Sequence, residues 1–379
     1  MQTRILTSID QLSDCSSAWD DLWRRSESAL PTAQSEPFQL WLKQFAEQKQ
    51  IRVIVVEEKG QMLAAFPLIG QRLGKVIEVG AMTHNDWSTG ADLMVDARAD
   101  WPRIHRQLLE GMKDLSWPML WLAGCRTELP VWRSFLGELE RARHAVTGHE
   151  RFRVGQVRVA PSFESLEKMW SRNHRRHMRR AVKRLQEEGG SELVVRSEFN
   201  ANEIEPLLRR GFEIEHRGWK GSAGSSVLAT PGMFEYFLDQ SKLLAKAGNL
   251  QLVFLEYQGK PIAFEYGWYA KGTYYTPKVA YDEEFAKFTP GQLLRYRLLK
   301  KMVEESPGDV VDYMGPLRDA TAKWTTDTYS VDSVLVSLRP VVGRTMVLAY
   351  RMLRSVRDLR RRGASESKNL AAFAPSTHA

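Results

Sequence analysis

The feature that most constrains this chain is an internal echo. Ile51 to Leu68 reads IRVIVVEEKGQMLAAFPL, and Leu250 to Gly267 reads LQLVFLEYQGKPIAFEYG. Each is an apolar run rich in branched and aromatic residues, a turn centred on Gly60 or Gly259, and a second apolar run, the pattern of a β-hairpin. Glu57, Gly60 and Ala64 align without gaps with Glu256, Gly259 and Ala263. Any two hairpins look alike, so the flanks decide whether the echo is a duplication. Two helical patterns precede each hairpin: Leu12 to Ser28 and Phe38 to Glu47 in one half, Asn202 to His216 and Gly232 to Ala247 in the other. After the first hairpin come strand-like Lys75 to Val79 and Ala91 to Val95, helical Trp101 to Leu115 and buried Met119 to Leu122. After the second come Gly272 to Tyr281, helical Pro290 to Glu305, Asp309 to Tyr313 and strand-like Ser333 to Leu338. The shared order predicts an α/β (α+β) protein of two tandem domains, each a mixed β-sheet flanked by helices.

A chain of 379 residues is the right size for two such cores. A strand-like run from Gly155 to Val159 ends near Ala160 and Pro161, which divides residues 1–160 from residues 161–340. Past Gly343, apolar and basic residues alternate at helical spacing and the final dozen or so are small and polar, so residues 341–379 read as a basic amphipathic helix and a frayed tail.

Only Cys15 and Cys125 are present, which gives no support for a disulfide scaffold or a zinc site. His174, His177 and His216 lack the spacing and carboxylate company of metal ligands, so no metal is expected. Met1 to Asp10 has no continuous apolar core, and no segment approaches the roughly 20 apolar residues of a membrane span. A cytoplasmic protein is expected. The net charge of +8 is concentrated in Arg172 to Arg184 and in the tail, so it is a local property. No aromatic interleaving accompanies it, and nucleic acid is not an expected partner. The tail helix, with Met346, Leu348, Leu353 and Leu359 among arginines, either docks on the second domain or makes a peripheral contact with the inner membrane.

The chemistry concentrates in YDEEFAKFTPGQLLRYRLLKK, Tyr281 to Lys301. A strand ends, a loop carries Thr289, Pro290 and Gly291, and a strongly periodic helix begins. The first N–H groups of a helix lack intrahelical partners, its dipole favours anions, and glycine lets a phosphate approach the backbone. Proline suits the first turn because its missing N–H costs nothing there. An ordinary helix start capped by Thr289 has the same local pattern. Position after the third strand of a meander favours the anion site.

This order of elements, with TPGQLL at the junction, resembles the GNAT superfamily of acetyltransferases. More narrowly, the chain resembles the cellulose-biosynthesis acetyltransferase branch (CelD/BcsL-like), related to the FemAB peptidyltransferases. The residues that carry the likeness are RRHMRRAVKRLQEEGG, the hairpin at Gly259, a strand ending in YD, and VVDYMGPLRDATAKW, with PFQLWLKQF, AAFPLIG and NDWSTGADLMV in the first half. The resemblance implies two tandem GNAT-like domains, with acyl-CoA as co-substrate in the second. Its pyrophosphate would lie at the strand-to-helix junction and its thioester between two splayed strands, Thr273 to Tyr281 and Val310 to Tyr313. Val279, Ala280, Thr289, Pro290, Gly291, Gln292 and Leu293 are then the donor-site residues.

Acyl transfer to an amine or hydroxyl needs a proton acceptor. Glu265 is the first choice; it interrupts an apolar strand, so it either lines a pocket or sits on the solvated face, which alternation favours. Asp282 is the second, and Tyr281 serves as acid toward the departing thiolate or simply packs. Lys323 matches a lysine that the resemblance turns toward substrate phosphate or the reacting carbonyl, with Asp312, Arg318 and Trp324 as polar neighbours contacting substrate. Arg175 and Arg179, one helical turn apart, either clamp an acceptor phosphate or are solvated, and Trp219 either stacks on a sugar ring or anchors its loop. Three functional readings follow. One is acyl transfer to a sugar or polysaccharide precursor in exopolysaccharide or cell-envelope synthesis. Another is Fem-like aminoacyl transfer from charged tRNA, which calls for a long helical hairpin in the second domain. The last is a non-catalytic polysaccharide-assembly partner.

Overall fold

Each half of the chain lays down a similar series of strands and helices. In the computed structural model, which describes residues 1–73, 77–200, 202–339 and then 343, 345, 347–350 and 352, the first half runs β1 (Gln2–Leu6), α1 (Ile9–Asp14), α2 (Ser16–Arg25), α3 (Ser35–Ala46), β2 (Ile51–Glu58), β3 (Gln61–Leu73), β4 (Ile77–Ala81), β5 (Met94–Val95), α4 (Trp101–Met112), β6 (Met119–Cys125), α5 (Pro130–Arg141) and β7 (Val146–Arg158). The second runs α6 (Phe163–Lys168), α7 (Arg172–Glu187), β8 (Glu192–Arg196), α8 (Ile204–Arg217), α9 (Trp219–Ser222), α10 (Met233–Lys246), β9 (Leu250–Tyr257), β10 (Lys260–Ala270), β11 (Thr273–Tyr281), α11 (Pro290–Glu305), β12 (Val310–Pro316), α12 (Asp319–Ala322) and β13 (Asp327–Ser337).

The echoed hairpins turn in the same way. Lys59 and Gly60 have φ of 52° and 78°, and Gln258 and Gly259 have 50° and 75°. Positive φ at both central residues is the two-residue turn whose twist matches the flanking strands, and glycine adopts it without a Cβ clash. A register shift follows in each hairpin, between Val56 and Glu57 and between Pro261 and Ala263.

All the strands belong to one mixed sheet, in the order β1-β2-β3-β4-β6-β13-β7-β12-β11-β10-β9-β8, with β5 beside β3. The order is symmetric about its centre. In each half an antiparallel meander ends on a short parallel pairing, β4 with β6 and β11 with β12. The last strands are then exchanged: β7 follows β6 in sequence but pairs with β12, whereas β13 follows β12 but pairs with β6 and β7. Residues 1–160 and 161–340 are therefore joined through the sheet.

Helices cover both faces. On one, α1 to α3, α8 and α10 pack into a single apolar core that spans the halves, from Trp19 and Trp41 to Phe237 and Tyr266. On the other, α4 and α5 cover the first series of strands, and α6, α7 and α11 cover the second. Lys271, in the β10–β11 turn, reaches across the halves and donates to the carbonyls of Trp23, Ser26 and Ser28, closing the C-terminus of α2.

Several sequence expectations change in detail. Ala91 to Val95 shortens to the two residues of β5, because Thr83 Oγ1 bonds the Ala91 carbonyl (2.6 Å) and N–H (3.1 Å) and holds the chain in a loop. In the tail, Val347 packs with Val79, Met119 and Leu335, and Leu348 is exposed. Met346, Leu353 and Leu359 lie outside the described residues. Among the described residues, no helix is long and apolar enough to cross a membrane, and no group of His, Cys, Asp and Glu could hold a metal ion.

Candidate functional site

A wedge opens in the second series of strands. β11 and β12 pair over only three positions, Thr273 with Val310, Tyr274 with Val311 and Tyr275 with Asp312. Beyond them β11 continues to Tyr281 paired with β10 alone. β12 turns away through Met314 at φ 57°, with its register against β7 shifted before Pro316. A cleft of about 510 Å³ occupies the gap. Val279 and Tyr281 form one wall, Tyr313, Arg318 and Trp324 another, and the first turns of α11 the floor; Trp219 and Lys220 stand at its mouth.

The start of α11 is open. Thr289 adopts φ 51°, ψ 54° and makes no side-chain cap. A β-branched residue in the left-handed region is strained, and its buried hydroxyl has no partner. Pro290 has no N–H, and the N–H groups of Gln292 and Leu293 close on the Thr289 carbonyl at 3.0 and 3.1 Å. Among the described residues, no acceptor takes the Gly291 N–H, and a Cβ built on Gly291 would meet only the Tyr281 side chain, at 3.6 Å. The corresponding helix of the first half, α4, begins differently. There the Asp100 carboxylate accepts the Arg103 N–H at 3.2 Å, and its negative charge answers the helix dipole. Of these two equivalent helix starts, the one in the first half carries a capping carboxylate and the one in the second half has no side-chain cap.

Two residues that line the same cleft each carry a buried polar atom with no hydrogen-bond partner, Arg295 at Nη1 and Tyr313 at its hydroxyl. Unpartnered buried atoms also occur away from the cleft, at Trp117, Trp132 and Trp268 among others, so what distinguishes those of Arg295 and Tyr313 is their place in residues that line the wedge. Arg295 lies over the Tyr313 ring at 4.6 Å and is ion-paired to Glu265. Burial opposes its charge, but Glu265 and Tyr313 outweigh that and hold its pKa above the ordinary value. Burial raises Glu265 above the usual carboxylate range, with Arg295 pulling the other way, and pushes Tyr313 up to about 12. Gln292 is oriented by Trp324, whose Nε1 donates to its Oε1 at 2.7 Å.

The remaining candidates disperse. Pro290 lines the cleft, Ala280 lines a smaller adjoining pocket of about 50 Å³, and Leu293 is buried in the core of α11. Glu265 corrects both alternatives posed for it. It is neither solvated nor pocket-lining, but fully buried behind Arg295, because β10 has helices on both faces. Asp282 is also engaged elsewhere: it accepts the Glu284 N–H at 3.1 Å and pairs with Arg217 and Lys260 at 3.3 and 3.6 Å. Asp312 does not join Arg318 and Trp324. It alternates away from Tyr313 to the opposite face of the sheet, where Gln156, Tyr329 and the Met314 N–H bond it at 2.9, 3.1 and 2.8 Å. Lys323 is exposed outside the lining, and Arg175 and Arg179 turn to Glu167 instead of forming a clamp in the cleft.

Four site residues were not singled out from sequence: Arg295, Tyr313, Glu215 and Lys220. Glu215 is 3% exposed, lines the smaller pocket with Val279 and Tyr281, and is ion-paired to Lys220 at 2.6 Å. A signal existed. Glu215 and Arg295 each interrupt the buried stripe of a helix, after Leu208, Gly211 and Phe212 in α8 and before Leu298, Leu299 and Met302 in α11, where an ionisable side chain needs a reason.

Residues 172–322 match the sequence model described as an acetyltransferase (GNAT) domain. That stretch, the greater part of the second half, is therefore similar to a GNAT acetyltransferase domain. The wedge, the cleft and the open start of α11 all lie within that span or at its edge. Over most of the chain the fold is similar to that of FemX, with 11% identity and a TM-score of 0.56 over 88% of this chain and 97% of that one. It is also similar to a conserved protein of unknown function from Bacteroides thetaiotaomicron, with 12% identity and a TM-score of 0.53 over 88% of this chain and 100% of that one. At such identity the likeness shows the fold alone. No curated protein matches the sequence.

Proposed function

We propose that the chain transfers an acyl group, acetyl first, from acyl-CoA to an amine or hydroxyl of a sugar or polysaccharide precursor in exopolysaccharide or cell-envelope synthesis. The open N-terminus of α11 at the foot of the wedge carries the reading. Its free Gly291 N–H and the dipole behind it suit the pyrophosphate, with Thr289, Pro290 and Gln292 shaping the cradle. The thioester extends between Val279 and Tyr313, where Arg295 presents a cation to the carbonyl oxygen. The acceptor enters from the smaller pocket. Its nucleophile bonds to the carbonyl carbon as the C–S bond breaks, its proton passes to Glu215, and Tyr281 protonates the thiolate. Glu215 takes the role of base because it is the buried carboxylate lining these cavities. Glu265 acts through Arg295 as a positioning residue, and Arg318, Trp219 and Trp324 bound the substrates. Membership of the cellulose-biosynthesis branch and a cytoplasmic location belong to the same reading.

The aminoacyl-transfer alternative draws on the FemX likeness. The long helical hairpin it calls for is absent among the described residues: α8 and α10 both pack against the sheet, and α9 has four residues. The test is thiol release when the full chain meets acetyl-CoA and a panel of amino sugars. Release that falls at least about a hundredfold in Arg295→Met supports the reading. Release that is insensitive to that change, or none with any acceptor, removes it.

A further inference from the structure

We propose that the outer face of α7 docks the protein on an anionic phospholipid surface. Arg172, Arg175, Arg176, Arg179, Arg180 and Lys183 recur at steps of three and four residues, so one helix face carries all six cations. The other face, His174, Met178, Ala181 and Leu185, is buried against α11 and the sheet, which fixes the side that looks outward. Few acids answer the stripe: Glu167 takes Arg179 at 3.0 Å and Glu187 takes Lys183 at 3.6 Å. Among the described residues, no carboxylate pairs with Arg172, Arg176 or Arg180. A rigid row of unneutralised guanidinium groups attracts a surface of phosphates.

Two observations favour lipid over RNA. The stripe holds no Phe, Tyr or Trp on which a base could stack. Met169, just before the helix, is 57% exposed, and an unbranched apolar side chain at the end of a cationic face suits the boundary between headgroups and acyl chains. Because α7 is anchored in the core, it would rest on the headgroups without entering the bilayer. The contact would lie beside the cleft, since His174 packs on Trp324 at 4.3 Å and Trp324 lines that cleft.

The experiment is flotation of the full-length protein with vesicles of phosphatidylglycerol and phosphatidylcholine, or of phosphatidylcholine alone. The expected result is salt-sensitive binding to the anionic vesicles only. Arg176→Glu with Arg180→Glu should weaken it about thirtyfold or more, and the neutral pair Arg176→Gln with Arg180→Gln should weaken it less. Thermal melting and CoA binding should be unchanged in the neutral pair, so loss of vesicle binding is separable from misfolding. Binding that survives both pairs of changes, or no binding to anionic vesicles, overturns the proposal. So does single-stranded RNA that displaces the vesicles and is itself lost with the same substitutions.

Discussion

Arg295 stands between Glu265 and the cleft: one side of its guanidinium pairs with a carboxylate that solvent does not reach, and its Nη1 is left without a protein partner in the cleft wall. Removing one member of a buried ion pair strands the other charge. Glu265→Gln is therefore expected to cost about 3 kcal/mol in chemical denaturation, and Glu265→Gln with Arg295→Met should recover more than half of that loss. A single variant as stable as the parent would contradict the pairing.

Glu215 is assigned the proton, whereas donor binding is assigned to α11. Glu215→Gln keeps an acceptor for the Val227 N–H, which bonds Glu215 at 3.0 Å. It should lower kcat about a hundredfold and leave CoA affinity within about twofold. Equal losses in both would show that Glu215 shapes the fold instead of taking the proton.

Two buried histidines make stability depend on acid. Burial lowers His105 from 6.5 to about 4, and lowers His174 to about 4 with help from Lys323 and His177. A depressed folded pKa contributes stability that is present above about 6.5 and lost as pH falls through 4. Unfolding free energy should thus decline across that window, by on the order of 3 kcal/mol for His105. His105→Phe, in a site already edge-on to Phe135, should flatten that part of the profile. A variant with the parent's acid dependence would contradict the assignment.

Local signals made much of this legible in sequence. The glycine turns at Gly60 and Gly259 and the proline start at Pro290 depend on neighbours along the chain, and they lie where expected. The exchange of β7 and β13 has no local signature, because the residues of a strand do not specify which of two similar edges it joins. Alternation misled for Glu265, since a strand covered on both faces is apolar throughout and offers no solvated side. It would have served for Asp312, whose neighbour Tyr313 takes the cleft face and leaves Asp312 the other. Arg295 and Glu215 were hidden in helices read for their apolar stripes, where the charged exceptions mattered more.

If α11, which lacks the side-chain cap of α4, holds the diphosphate of CoA at its first turn, binding must depend on the space at Gly291. Titration calorimetry of CoA against the full chain and against Gly291→Glu tests it most directly. The substitution places a carboxylate at the Gly291 N–H, where only the Tyr281 side chain is near, at 3.6 Å, so the melting temperature should hold. One CoA site in the parent, weakened at least about tenfold in the variant, is the predicted result; no CoA binding by the parent, or equal binding by both proteins, would contradict it.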